Sequence, residues 1–270
     1  MNTSSHLSIY TLSYNAPKQL ELWSDTFQKA YPNTFNTCTK YLINNTDNDD
    51  LLEAYDCLIR KYGFIEINRG VNMGINTGRH LIAQHFEASE YEYMIFFEDD
   101  MLMFEDNHSV CKCGFLTYHV NLFQTALEIM QLEDLDYLKL SYSEVEGDNN
   151  VNWAWYTIKD EFKDGFFPTL PDGSSDRRTF VENIGTHQGI SYAVGDYFYC
   201  NWPLVFSKKG NKKVFLEEEF EIKYEPQWMF LSFKLHRSDR LKAACLLMSP
   251  INHNRVYDYD RTQRKENEYK

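Results

Sequence analysis

The chain has 270 residues, 43% of them hydrophobic and 16% aromatic, with a formal net charge of −13. Such a composition supplies a packed core for one large α/β domain and argues against disorder. No apolar run approaches the ~20 residues of a membrane span, and the start MNTSSHLSIY lacks the basic and apolar regions of a signal peptide, so a soluble cytoplasmic protein with no membrane partner is expected. Cys38, Cys57, Cys111, Cys113, Cys200 and Cys245 are scattered, which fits reduced thiols better than a disulfide framework. The acidic excess lies in the first 150 positions, while Lys and Arg gather in the second half, as at Lys208, Lys209, Lys212 and Lys213. An acidic protein is a poor non-specific binder of nucleic acid, although a local basic face still permits phosphate contact.

Leu7 to Leu12 reads as a first strand, and Pro17 opens a helix with Leu20, Trp23, Phe27, Ala30 and Tyr31 at helical spacing. Tyr41 to Ile43 gives a second strand, the polar turn 44–50 follows, and a helix is expected over 50–62 before a third strand at Phe64 to Asn68. The turn from Asn68 to Arg79 contains Gly70, Gly74 and Gly78 and leads into a helix expected from Arg79 to Phe86. Glycines permit close approach to a ligand, and a helix amino terminus favours phosphate. Met94 to Phe97 is an apolar run suited to a central parallel strand, and it empties into Glu98, Asp99 and Asp100. Alternation of this kind implies a parallel, doubly wound sheet.

Beyond the acids, Leu116, Val120, Phe123, Leu127 and Met130 form one helical stripe, and Tyr137 to Tyr142 reads as a strand. Residues 159–189 lack periodicity and read as a long loop. Strands are expected at 190–194, 197–206 and 243–248, with a helix beginning near Pro226 and a polar tail from Asn252. His108, Cys111, Cys113 and His119 do not have the spacing of a zinc knuckle and read as a turn.

Open α/β sheets bind ligands beyond the carboxyl ends of their strands, where Glu98 to Asp100 stand. Crowded carboxylates repel one another unless a cation intervenes, and oxygen-rich sets suit Mg²⁺ or Mn²⁺ holding substrate phosphates. A solvated acidic turn is the bland alternative. The strand leading to Ser13-Tyr14-Asn15-Ala16-Pro17, the turn 68–79 and Glu98-Asp99-Asp100, in this order, resemble GT-A-type glycosyltransferases of the family 2 kind. The stretches CKCGFLTYHVNLFQTALEIM, DYLKLSYSEVEGDN, NWAWY, YFYCNWPLVFSKKGNKKVFLE, YEPQWM and NHNR are similar to a group of such enzymes encoded by T4-like tailed phages.

The resemblance implies a single GT-A domain with a Rossmann-like, mostly parallel sheet flanked by helices. Residues 1–106 would form its nucleotide-sugar half and 107–270 its acceptor half. It implies that Ser13, Tyr14 and Asn15 flank base and ribose, that Asp47 lies near the base, and that Asn72, Gly74 and Arg79 lie near the pyrophosphate. Asp99 joins this donor set. Glu98, Asp100 and His253 would hold Mn²⁺ or Mg²⁺, with UDP-sugar as donor. Glu225 stands where inverting members keep their base, while Asp196 and Glu144 compete for that role. Trp153 and Trp155 would line the acceptor groove, since indole faces stack on sugars and nucleobases. Each has a plainer reading: Arg79 as a solvated helix-start cation, Asp47 as turn chemistry, Glu225 as a partner of the helix dipole, His253 as an ordinary histidine. The implied acceptor is 5-hydroxymethylcytosine in phage DNA, receiving glucose or arabinose. A surface glycan acceptor, or a non-catalytic nucleotide-sugar or lectin-like module, are the alternatives.

Overall fold

The computed structural model describes residues 6–107, 115–141, 173, 181–220 and 225–254. In chain order, β1 (Leu7–Ser13) leads through α1 (Pro17–Ala30) and α2 (Pro32–Thr37) to β2 (Thr39–Asn44). Then α3 (Leu52–Tyr62), β3 (Phe64–Asn68), α4 (Gly74–Ala88) and β4 (Tyr93–Glu98) complete the expected alternation. The remainder is β5 (Met101–Met103), α5 (Leu122–Leu132), β6 (Tyr137–Lys139), β7 (Val181–His187), β8 (Ile190–Gly195), β9 (Leu204–Ser207), α6 (Lys208–Asn211), α7 (Glu225–Arg237), β10 (Ala243–Leu246) and β11 (Ile251–His253).

Nine strands form one sheet in the order β3-β2-β1-β4-β9-β6-β10-β8-β7. β3, β2, β1 and β4 run parallel, and β6 with β10 continues in the same direction, because the antiparallel β9 sits between β4 and β6 and reverses twice. Strand ends that carry Ser13, Asn44, Asn68 and Glu98 therefore share one edge of the sheet.

Both sheet faces are covered, and this explains the unbroken apolar run of β4. Ile95 and Phe97 face one cluster with Trp23 and Phe27 of α1, while Met94 and Phe96 face a second with Ile82 and Phe86 of α4. Trp23 and Phe27 are fully enclosed, and each such burial contributes about 2–3 kcal/mol before entropy is counted. The second half is tied down at buried Asp136. Its carboxylate accepts from Lys213 Nζ at 2.8 Å to both oxygens and from Lys242 N at 2.9 Å, and its carbonyl accepts from Ser207 N at 3.0 Å.

Several elements depart from the sequence reading. α4 begins at Gly74, not Arg79, because Gly74 takes φ +74° and its N–H donates to Asn72 Oδ1 at 2.9 Å. A strand, β7, lies inside the expected loop 159–189. It is a polar sheet-edge strand, so the two-residue apolar period is missing. The strand expected over 197–206 shortens to β9, since Asn201 and Tyr199 spend their N–H groups on Glu225 and Ser232 and not on a ladder. β5 pairs with β11 in a separate two-stranded sheet, His253 opposite Met101.

Candidate active site

Glu98 ends β4, and the chain turns at Asp99 and Asp100 before β5 begins. β11 lies against β5, and this pairing delivers His253 to the acids from 153 residues away. His253 Nε2 is 3.0 Å from Asp100 Oδ2, and Asn254 N donates to the Asp100 carbonyl at 2.7 Å. Ligand atoms from Glu98, Asp100 and His253 all fall within 4.8 Å of one another. Asp99 and Asp100 are 3% and 4% exposed, and Asp99 Oδ2 and Asp100 Oδ1 have no hydrogen-bond donor. Buried carboxylate oxygens without donors are costly unless a cation or proton compensates them.

The electrostatics point the same way. Burial, then Asp100 and Glu225, pushes the Glu98 carboxyl up to about 8, with His253 acting in the opposite sense. Burial and Asp100 likewise hold Asp99 well above the carboxylate range, against a lowering contribution from Ser13. Two carboxylates and an imidazole, with undonated oxygens, make a donor set that fits Mn²⁺ or Mg²⁺, the imidazole favouring Mn²⁺.

A second group gathers at the ends of β1, β2 and β3. Asp47 accepts from Asn15 Nδ2 at 2.8 Å, from Tyr14 OH at 3.4 Å and from Asn72 Nδ2 at 3.5 Å. Asn15 has φ +49°, a left-handed turn that asparagine tolerates better than most residues. Thr46 Oγ1 donates to Asn15 Oδ1, and Asn45 Nδ2 reaches the Gly74 carbonyl at 3.2 Å. Ser13 is buried, with its hydroxyl 2.7 Å from Tyr55 OH, which in turn accepts from Ala16 N at 3.0 Å. Tyr14, Asn15, Asp47, Asn72 and Gly74 thus meet in one place, supported by Asn45, Thr46 and Tyr55. These three supports were missed by sequence reasoning, because neither their type nor their spacing distinguishes them from ordinary turn and helix residues.

Glu225 is the first residue of α7, and its Oε1 accepts from Asn201 N at 2.7 Å. Its charge is also among the causes that raise the Glu98 carboxyl, after burial and Asp100. Asn201 is a further residue that the sequence did not single out. Its neighbour Trp202 sets its ring 5.6 Å from that of His253, at 88°.

Two expected site residues lie elsewhere. Arg79 is 0% exposed and lies in the core and not at a surface open to a phosphate: its guanidinium stacks 4.1 Å from the Phe215 ring and 4.8 Å from that of Phe96. The reason is the early start of α4, which carries Arg79 onto the apolar face with Ile82, Ala83 and Phe86. Asp196 is the counter-ion of Arg237, 3.2 Å away and likewise buried, and this pairing removes it from the competition for the base. Glu144, Trp153, Trp155, His108, Cys111 and Cys113 lie outside the described residues, as does most of the expected loop. Cys38, Cys57, Cys200 and Cys245 are free thiols, and no helix among the described residues is long and apolar enough to cross a membrane.

The chain matches no protein-family model and no curated protein. Solved structures do share its fold. Residues 1–349 of Staphylococcus aureus TarS align over 92% of this chain and 60% of that one, at 11% identity and a TM-score of 0.52. The same TarS fragment in complex with UDP-GlcNAc aligns over 94% and 60%, at 9% identity and a TM-score of 0.52. A Pyrobaculum calidifontis mannosyltransferase in complex with GDP-Man and Mn²⁺ aligns over 51% of this chain and 35% of its own, at 8% identity and a TM-score of 0.38, too low to carry an argument. The chain spans about 60% of the TarS fragments it matches. At these identities the likeness establishes the fold, a mixed α/β sheet of the GT-A type.

Proposed function

We propose that this chain is a metal-dependent glycosyltransferase that moves a sugar from a nucleoside diphosphate to a hydroxyl. The observation that carries this reading is the meeting of Glu98, Asp100 and His253 within 4.8 Å at the carboxyl edge of the sheet. When bound there, Mn²⁺ or Mg²⁺ would offset the charge of the departing diphosphate. Asp47 is a carboxylate at the end of β2 with Tyr14, Asn15 and Asn72 around it. An anionic acceptor of this kind can bind the imide N–H of uracil, in keeping with UDP as the carrier. On this reading Asp99 would take the ribose, and Asn72, which accepts from Gly74 N at the start of α4, would take the pyrophosphate.

Glu225, oriented by the Asn201 N–H, would take the proton of the attacking hydroxyl, which gives inversion at the anomeric carbon. The TarS fragment crystallised with UDP-GlcNAc supports a UDP-sugar donor. For the acceptor we propose 5-hydroxymethylcytosine in phage DNA, on the resemblance to enzymes of T4-like phages, with Trp153 and Trp155 against the base. A cytoplasmic site of action follows from that acceptor.

The test is UDP release from a panel of UDP-sugars in Mn²⁺ or EDTA, with and without DNA carrying hydroxymethylcytosine. Turnover should require metal and rise with the modified DNA. Asp100→Asn and Glu225→Gln should each lower kcat by ~100-fold or more, equivalent to ~2.7 kcal/mol of barrier. Parent-like turnover of Asp100→Asn in chelator overturns the metal site. Stimulation by a glycan and not by modified DNA overturns the acceptor.

A further inference from the structure

We infer that Trp202 is the side chain that meets the transferred sugar and sets which UDP-sugar is accepted, an inference that rests on the proposed transfer reaction. Three tryptophans lie among the described residues. Trp23 and Trp228 are closed into the core at 0% and 1% exposure, whereas Trp202 keeps accessible surface while packing against both core clusters. It is partly buried and contacts the clusters on both faces of the sheet.

Its neighbours define the two sides of a displacement. On one side the ring of His253 lies 5.6 Å from the indole at 88°, and His253 Nε2 is 3.0 Å from Asp100 Oδ2. On the other, the preceding residue Asn201 donates its N–H to Glu225 Oε1 at 2.7 Å. Inversion at an anomeric carbon requires the leaving oxygen and the incoming hydroxyl on opposite faces of the sugar. The leaving oxygen belongs to the diphosphate beside the metal ligands, and the incoming hydroxyl to the acceptor beside Glu225. The glycosyl ring therefore lies between these groups, and Trp202 touches His253 on one side and directly follows Asn201, whose N–H orients Glu225, on the other. An indole in that position offers a flat apolar face to the C–H groups of a pyranose or furanose. Pro203, immediately after it, fixes the backbone and limits adjustment to a sugar of different shape.

The alternative role, a prop for His253, makes a different prediction, so the measurements are chosen to separate the two. Calorimetry with Mn²⁺ alone, with UDP plus Mn²⁺, and with UDP-glucose, UDP-GlcNAc and UDP-xylose plus Mn²⁺ is run on the parent, Trp202→Phe and Trp202→Leu. The inference expects Mn²⁺ and UDP affinities within about twofold of the parent in both variants. The affinity that each sugar adds over UDP should change, and the preference among the sugars should shift by about tenfold in Trp202→Leu and by less in Trp202→Phe. Trp202→Phe preserves aromatic packing, and decides the matter should Trp202→Leu not fold. An unchanged order and spacing of sugar affinities overturns the inference, and so does a loss that tracks Mn²⁺ affinity. A parent protein that binds no UDP in Mn²⁺ overturns the transfer reading itself, an outcome distinct from either.

Discussion

A guanidinium enclosed without hydrogen bonds costs several kcal/mol, which cation–π contact, worth ~2 kcal/mol or more when desolvated, offsets in part. Arg79 is in that position: no guanidinium nitrogen finds a hydrogen-bond partner, and burial lowers its pKa, with the Tyr199 ring among its neighbours. Met keeps the length and packing of the side chain without the charge. Arg79→Met is therefore expected to leave the urea midpoint unchanged or raise it by up to ~2 kcal/mol of stability, and to leave UDP affinity as it was. A tenfold loss of UDP binding would return Arg79 to the donor site. The family resemblance implied that Arg79 lies near the pyrophosphate, with the helix expected to start there. Moved one and a half turns inward, the same residue shares a stripe with Ile82, Ala83 and Phe86, a pattern visible in the sequence once the boundary is right. The position of Glu98 and Asp100 was legible for the opposite reason, since both stand at the end of an apolar strand. Three acids directly after the apolar run of β4 stand out in the sequence, and the structure encloses Asp99 and Asp100 at its end.

At the level of elements, α4 and α6 depend on glycine for different reasons. A Cβ on Gly210 of α6 would fall 2.0 Å from the carbonyl oxygen of Asp136, which is backbone and cannot step aside. Gly210→Ala should therefore cost ~2–3 kcal/mol, read as a lower thermal midpoint. Gly74 meets nothing within 4 Å and carries only the penalty of φ +74°, so Gly74→Ala should cost ~1–2 kcal/mol. A Gly210→Ala protein as stable as the parent would show that α6 does not seat on Asp136 as described. Element boundaries were the weakest part of the sequence reading. β7 lacks an apolar face, β5 and β11 are three residues each, and the stretch 197–203 is apolar without being a strand. In each case pairing or side-chain bonding, and not local propensity, fixes the outcome.

For the molecule as a whole, the acid cluster couples folding to pH and, with the proposed metal site, to a cation. Glu98, pushed up to about 8, and Asp99, also raised, hold protons in the metal-free folded state that the unfolded chain has released. The folded form then binds more protons than the unfolded one, and stability falls as pH rises from about 5 towards 8. A bound cation replaces those protons, so Mn²⁺ affinity should grow over the same range with release of protons on binding. Thermal unfolding in EDTA should show a lower midpoint at pH 8 than at pH 5.5, and Mn²⁺ should narrow or abolish the difference. A midpoint in EDTA that is flat across this range would mean that the acids ionise freely and are not enclosed.

The sequence by itself determined the alternation of strands and helices through the first hundred residues, the layered α/β class and the position of the acids at a strand end. These follow from hydrophobic periodicity and turn chemistry, which act between residues close along the chain. Only the tertiary structure decided the partners of those acids. His253 reaches Asp100 because β11 pairs with β5, Glu225 is oriented because Asn201 leaves the ladder, and Asp196 is withdrawn because Arg237 lies beside it. Each of these depends on residues distant in the chain meeting in space, and a one-dimensional pattern does not encode such meetings locally.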